Sequence, residues 1–450
     1  MKALLFERSL PKFAAARLAS EWRTGVGARV GPLRFTDVDE PDLPGPGWQR
    51  VRPLLSGICG SDLATIDGRA SRYFEPLVSF PFIPGHEVVG ELDDGSRVVL
   101  EPVLNCAARG IDPPCPACAG GWTNRCRNLA FGHLKPGLQT GYCARTGGGW
   151  GAALVAHDSQ LHRVPDDFSS HAAVMVEPAA CALHGALFGA GQGTRHDAGR
   201  GAGQGAVHGA SYGTGEGGGD GGHETAVVIG AGTLGLCTVA GLSRLRSDID
   251  TLLVVAKHPE QHRLAQELGD CTVVPPAELA RAVRRRTGSL VLDSGQLTGG
   301  ASLVFDCVGS SQSLASALSV VEPGGTVVLL GMPGEVKVDL TGLWQREVSV
   351  TGAYAYGTEW LPGDESAVPR RTFDLSFELV ADAGLERLVS ALYPLNRYRE
   401  AIEHAADAGR RGAAKVAFDL RAGTGPGGRS WRSRPPARNH ESARTKEIQA

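Results

Sequence analysis

Four cysteines crowd between positions 106 and 126, spaced Cys106-x8-Cys115-x2-Cys118-x7-Cys126. Four thiolates in one short stretch can close a tetrahedral zinc site that braces a loop. The apolar run at residues 1–6 is broken at once by Glu7 and Arg8, so an opening strand is expected there, not a secretory leader. A cytoplasmic setting is therefore expected, and in a reducing compartment clustered thiols point to metal more than to disulfides. The alternative is four free thiols. Three more residues carry one metal donor of each common kind: Cys59 in Gly57-Ile58-Cys59-Gly60-Ser61-Asp62, His86 in Pro84-Gly85-His86-Glu87, and Glu177 in Val176-Glu177-Pro178. Catalytic zinc takes three protein ligands and keeps one position open for water or substrate. Each of the three also fits a plainer role, as a buried thiol, a core imidazole or a helix-start carboxylate, and spacing alone does not choose.

A second chemistry is written in Gly230-Ala231-Gly232-Thr233-Leu234-Gly235, which follows the apolar run 226–229 and opens a helical pattern. Gly230 permits the tight turn, Gly232 lets backbone approach a pyrophosphate, and Gly235 lets helix and strand pack closely. The anion then rests on the free N–H groups of the helix start. A nicotinamide dinucleotide is the implied ligand. An NAD site wants an acid at the end of the next strand. Here Val254-Val255-Ala256 runs into Lys257 and His258, with Arg263 beyond, while Asp248 and Asp250 lie at the wrong end. The missing acid and the nearby cations favour NADP over NAD, a 2′-phosphate being served by Lys257 with His258 or Arg263. The other reading makes these cations solvated helix-start charges.

Elements must hold these residues in place. With 450 residues, 42% of them hydrophobic, the chain suggests two domains. A net charge of −3 gives no reason to expect nucleic acid or an anionic membrane as partner, and no apolar stretch is long enough for a membrane helix. Residues 1–186 mix short β-like runs with Gly and Pro turns, which suits a twisted, partly antiparallel β domain; residues 171–188 read as a helix. Residues 187–224 collapse into Gly with little apolar content, and a disordered insertion is expected. Across 225–350, apolar strands at 226–229, 252–255, 303–305 and 326–330 alternate with helical stretches, the pattern of a parallel α/β sheet. Residues 351–420 return to a mixed texture and end in a strand at 414–418. The Arg-rich, apolar-poor residues 421–450 are expected to be a disordered tail.

The order of Cys-Gly-Ser-Asp, Gly-His-Glu, a four-cysteine lobe, Glu-Pro and Gly-x-Gly-x-x-Gly resembles the zinc-containing medium-chain alcohol dehydrogenase family. Asp306-Cys307-Val308-Gly309 and Gly324-Gly325-Thr326 through Gly331 continue the likeness, which covers about residues 1–186 and 225–420. It implies an α/β fold: a GroES-like, partly antiparallel β catalytic domain, completed by the return segment, plus a Rossmann doubly wound parallel sheet. By the same resemblance Cys59, His86 and Glu177 would ligate a catalytic zinc, and Cys106, Cys115, Cys118 and Cys126 a structural one. Glu87 would be a neighbouring carboxylate able to approach the metal, and Asp62 would orient His86. Ser61 would take the substrate proton. Val308, Gly309, Gly331 and Met332 would flank the nicotinamide. A Glu as third ligand is similar to polyol and sugar dehydrogenases, so a secondary alcohol or polyol, or its carbonyl, is the expected substrate, turned over by a homo-oligomer, dimer or tetramer. Cys181, one helical turn beyond Glu177, could compete for the metal but is the less favoured third ligand.

Two departures stand out. The lobe opens Cys-x8-Cys where the family usually has Cys-x2-Cys, and the extra residues within 107–114 are expected to loop out. Ala64 stands where many relatives carry a proton-relay His, so the outward half of the relay must differ. The rival readings are a zinc-free quinone or enoyl reductase of the same superfamily, which would lack both ligand sets, and a non-catalytic zinc protein that binds nucleotide and uses the Gly-rich insertion and basic tail for interactions.

Overall fold

The computed structural model describes residues 1–188, 224–361 and 368–421. Nearly all of the Gly-rich insertion, and the tail beyond residue 421, lie outside the described residues.

Residues 224–352 form a six-stranded sheet in which every neighbouring pair is parallel. Across it the strands run Thr272–Val274, Ile249–Val255, Glu224–Ile229, Ala301–Asp306, Val321–Leu329 and Ser349–Gly352. Numbered along the chain this is 3-2-1-4-5-6, the doubly wound dinucleotide-binding order. The apolar runs are continuous because helices cover both faces: Val227, Val228, Leu253, Val254, Val304 and Phe305 are fully buried. Order reverses beside Glu224–Ile229, and the crevice at a switch point is where such sheets take ligands.

The other domain is built on Trp48–Gly57. That strand pairs antiparallel with Val88–Leu92, Leu154–His157 and Lys415–Asp419, and the sheet extends through Arg97–Leu100 to Leu161–Arg163. On the other side Val389–Pro394 pairs parallel to Lys415–Asp419. The return segment thus adds two strands to a sheet begun more than three hundred residues earlier, which makes one domain from both ends of the described chain.

Helix Val176–Phe188 joins the two. Val176, Ala179, Ala180, Leu183 and Leu187 are fully buried, because one side of the helix packs on Thr233–Leu245 of the dinucleotide domain and other residues reach the catalytic sheet. A helix apolar nearly all round belongs in a core, and its small residues let neighbouring backbones come close. Its first turn carries Glu177.

One feature of the catalytic domain departs from the β texture expected over 1–186. The strands Lys2–Phe6 and Leu33–Asp37 pair antiparallel, and between them stand helices Leu10–Ser20 and Gly27–Val30. Ser9 is extended at the first helix's N-cap, a Pro opens it, and Ala and Leu dominate after that, all favourable for helix. The buried Asp67 carboxylate clamps the arm, accepting from Gly25 N at 2.8 Å and Gly27 N at 3.0 Å.

Candidate active site and metal centres

Strand Trp48–Gly57 delivers the chain to Cys59, which caps helix Gly60–Ile66. The cap places two chemical residues a turn apart. Asp62 reaches back so that its Oδ2 accepts from Cys59 N at 3.0 Å, the reciprocal arrangement of a capping box. Its other oxygen lies 3.4 Å from Nδ1 of His86. Tyr142 donates to that same oxygen at 3.4 Å, and its hydroxyl stands 3.2 Å from Oγ1 of Thr65. Asp62 and His86 are both buried. Burial works against an imidazolium at His86, but Asp62 and then Cys59 outweigh it and raise the pKa well above the ordinary value. With Nδ1 turned to a carboxylate, Nε2 is the atom left for a metal, the usual orientation of a ligating histidine.

Glu177 is buried, and desolvation pushes its carboxyl up to about 7 against the pull of His86. Cys181 donates to Glu177 Oε1 at 3.5 Å, and burial, then Glu177, hold its thiol well above the ordinary range. It behaves as a neutral donor to the candidate ligand. Cys59 acts on His86 and His86 on Glu177, and the three offer the sulfur, nitrogen and oxygen donors that suit catalytic zinc. Among the described residues their ligand atoms are not drawn within 4.8 Å of one another, as those of the four-cysteine lobe are.

Glu87 takes a different part from the one expected. Its carboxylate is held by the Lys415 ammonium at 2.5 and 2.7 Å, with both side chains nearly inaccessible. Lys415 keeps its charge because Glu87 outweighs the burial that opposes it. A carboxylate so engaged is a fixed counter-ion beside the site, not a group free to approach a metal. Ser61 is half-buried on the first turn of its helix, and Ala64 lies half-buried further along.

In the lobe, all four sulfurs lie within 4.8 Å of one another. Backbone amides point at them: Cys115 N at Cys106 Sγ (3.3 Å), Arg127 N at Cys115 Sγ (3.5 Å) and Asn128 N at Cys126 Sγ (3.4 Å). N–H groups converging on sulfur favour thiolates over thiols. A hydrogen bond from Cys118 draws Cys126 down to about 5, while the same bond raises Cys118. Both the spacing and the donors fit zinc. Of the extra residues between Cys106 and Cys115, Ala107, Gly110 and Asp112 to Pro114 are exposed, as an outward loop expects, but two turn the other way. Ala108 and Arg109 are fully buried, and the Arg109 guanidinium donates to the carbonyls of Leu104, Phe131, Lys135 and Gly137. Those two are turned inward because the fork gathers the carbonyls of the surrounding turns.

At the dinucleotide loop Gly230 has φ +96°, and a side chain at Gly235 would sit 1.8 Å from Gly230 O, so neither position tolerates one. A Cβ at Gly232 would meet nothing within 4 Å, an open cradle over the N-terminus of Thr233–Leu245. The Thr233 hydroxyl donates to Ala414 O at 2.8 Å, which ties the cradle to the return strand beside Lys415. Leu234 is half-buried on that first turn. At the neighbouring strand end Asp306 is fully buried and accepts from Val308 N, Gly309 N and Ser313 Oγ. It shapes the turn that leaves Val308 exposed and Gly309 against Gly331. Met332 follows, half-buried. Lys257 is exposed and His258 half-buried at the end of Ile249–Val255. Arg263, expected to assist there, is taken by Glu260 (Nε at 3.0 Å) and Glu267.

Residues 45–166 match the alcohol dehydrogenase GroES-like domain, and residues 233–368 the zinc-binding dehydrogenase domain. The chain belongs to the zinc-containing medium-chain alcohol dehydrogenase family. As a member it is a zinc-dependent oxidoreductase that moves a hydride between an alcohol, or its carbonyl, and a nicotinamide cofactor. Among medium-chain dehydrogenases it is similar to L-idonate 5-dehydrogenase of Vitis vinifera, 26% identical over 70% of this chain and 75% of that one. Sorbitol dehydrogenase of Arabidopsis thaliana is 26% identical over 75% of this chain and 81% of its own. The fold is shared with the NADP-bound crystal structure of a protein from Sinorhizobium meliloti 1021 described as a zinc-binding dehydrogenase. There the TM-score is 0.58 at 24% identity, covering 86% of this chain and 95% of that one.

Lys415, Arg109 and Tyr142 escaped the reading of the sequence, and Asp306 entered it only as part of a motif, without its role in the turn. Lys415 carried a faint signal, a lysine inside an otherwise apolar strand, where a charge has to find a partner.

Proposed function

We propose that this dehydrogenase oxidises secondary alcohols or polyols, and reduces the matching carbonyls, at a catalytic zinc held by Cys59, His86 and Glu177. Cys106, Cys115, Cys118 and Cys126 hold a structural zinc, and NADP is the preferred cofactor. The observation that carries the reading is that Asp62 accepts from Cys59 N and stands 3.4 Å from Nδ1 of the buried His86, whose charge acts on the buried Glu177. A carboxylate in the ligand set is shared, by resemblance, with polyol and sugar dehydrogenases, and the named relatives act on a sugar acid and a sugar alcohol.

When bound, zinc supplies Lewis acidity that favours loss of the alcohol proton, and the nicotinamide accepts the hydride. The protein's own groups do the rest. Asp62 places a carboxylate 3.4 Å from Nδ1 of His86 and leaves Nε2 for the metal, and Glu87 and Lys415 form an ion pair beside the site. The Ser61 hydroxyl accepts the substrate proton and passes it outward through water or the cofactor ribose, since Ala64 offers no imidazole. Gly230, Gly232, Thr233, Leu234 and Gly235 hold the pyrophosphate; Val308, Gly309, Gly331 and Met332 align the nicotinamide. NADP preference is supported by the absence of an acid after Ile249–Val255 and by the exposed Lys257 with His258 at that point. The active form is a homo-oligomer.

Metal content by mass spectrometry, paired with NADP and NAD kinetics on a panel of polyols and secondary alcohols, tests the proposal. Near two zinc per chain with NADP-dependent polyol turnover supports it. A zinc-free chain that reduces quinones or enoyl substrates overturns it.

A further inference from the structure

We propose that Arg410, on the turn Gly409–Arg411 of the catalytic domain, completes with Lys257 and His258 the site that grips the 2′-phosphate of the cofactor. The inference rests on the NADP reading above and names the residue that would set the preference. Arg263 is spent on Glu260 and Glu267, which leaves Lys257 and half-buried His258 as the dinucleotide domain's own cations at the end of Ile249–Val255. A phosphate dianion is held best by more than one charged donor.

The missing donor comes from the other domain. A methyl group on Gly409 would stand 2.4 Å from Cδ2 of His258 and 2.9 Å from Nε2 of Gln261, so the turn lies directly against that strand end. Glycine at 409 is what lets it approach. The turn is pinned by Arg411 N to Asp407 O and Gly412 N to Gly409 O, with Gly412 at φ +65°. Arg410, the next residue, is 76% exposed and reaches Asp407 only at 3.7 Å, a loose pair that a phosphate can displace. Arg411 also pairs with Asp407, at 3.9 Å, and its side chain is less exposed than that of Arg410. The same return segment continues to Ala414, whose carbonyl accepts from Thr233 at the pyrophosphate cradle. One short run of the catalytic domain therefore passes both phosphate positions, and the 2′-phosphate would link the two domains.

Calorimetric titration of the full-length protein with 2′,5′-ADP and with 5′-AMP isolates the 2′-phosphate without any turnover. The expected result is tighter binding of 2′,5′-ADP by the parent. Arg410→Ala should weaken it by roughly tenfold or more while leaving 5′-AMP unchanged, as loss of one charge-assisted donor predicts. Lys257→Ala should behave alike and Arg411→Ala like the parent. If Lys257→Ala weakens 2′,5′-ADP binding and Arg410→Ala does not, the NADP reading stands and the role of Arg410 is overturned. If the parent binds both probes equally, the NADP reading itself fails and takes the inference with it. Arg410 is exposed, so unchanged thermal melts are expected for its variant.

Discussion

At the residue scale, the site rests on charges that are each buried beside one partner. Cys59→Ser or His86→Ala should abolish turnover and remove one zinc, while dinucleotide binding, followed by fluorescence titration, survives. Loss of cofactor binding in a folded variant would count against this division of roles. The Glu87–Lys415 pair makes a separate prediction. Glu87→Gln strands a buried ammonium and should lower stability in urea titration by about 3–5 kcal/mol. Adding Lys415→Met should restore most of that loss, because two apolar or neutral groups leave no uncompensated charge. An unchanged midpoint for Glu87→Gln would mean that the pair is hydrated. Cys59, His86 and Glu177 were legible as donors because each sits in a short motif. Lys415 was not legible as the partner of Glu87, since 328 positions separate them.

At the scale of elements, the four-cysteine lobe is ordered from inside by Arg109. Its guanidinium is wholly buried and meets carbonyls, not a carboxylate, among the described residues. Burial lowers its pKa, opposed by Cys143, Cys126 and Cys106. A zinc on four thiolates carries net negative charge, so Arg109 and the metal should stabilise each other. Arg109→Gln should speed loss of the lobe zinc to a chelator, with Arg109→Lys intermediate; equal loss from both variants would show that bracing of carbonyls is the whole effect. The N-terminal helices depend on Asp67 in a similar way. Asp67→Ala leaves two buried amides unpaired and should cost about 1–3 kcal/mol, seen as a lower melting temperature and faster amide exchange at Gly25 and Gly27. The lobe's existence was readable from cysteine spacing. The inward turn of Arg109 within its first gap was not, because a buried arginine looks in sequence like any surface one.

At the scale of the whole molecule, the two domains are joined by a shared core and by polar ties. Thr233 of the dinucleotide domain donates to Ala414 O of the return segment at 2.8 Å, and within the catalytic domain the buried Glu101 joins Thr123 and His162 to Arg371 of that same segment. Helix Val176–Phe188 carries both the candidate ligand Glu177 and the apolar face that packs on the dinucleotide domain. Removing metal should therefore act twice. On the proposed two-zinc arrangement, a mild chelator that takes the metal from Cys59, His86 and Glu177 should end turnover with little change in melting temperature. Removal of the lobe zinc should lower that temperature, because its ligands lie in a lobe that packs against the return segment, where Asn124 donates to Tyr354 O at 2.7 Å. Among the described residues no helix is long and apolar enough to cross a membrane.

The chain's own residue order determined the type of each domain and the chemistry of its motifs. Continuous apolar runs between helical stretches demand a sheet buried on both faces, and Gly-x-Gly-x-x-Gly on such a strand has a conformational reason at each glycine. Those signals are local, with every determining residue inside one element or turn. Tertiary structure alone decided which charges meet. It spent Arg263 on its own helix, gave Glu87 to Lys415, and turned Arg109 inward. It also brought Gly409 against His258 across the domain boundary. Electrostatic partners are chosen by distance in space and by exclusion of water, and neither is written in spacing along the chain.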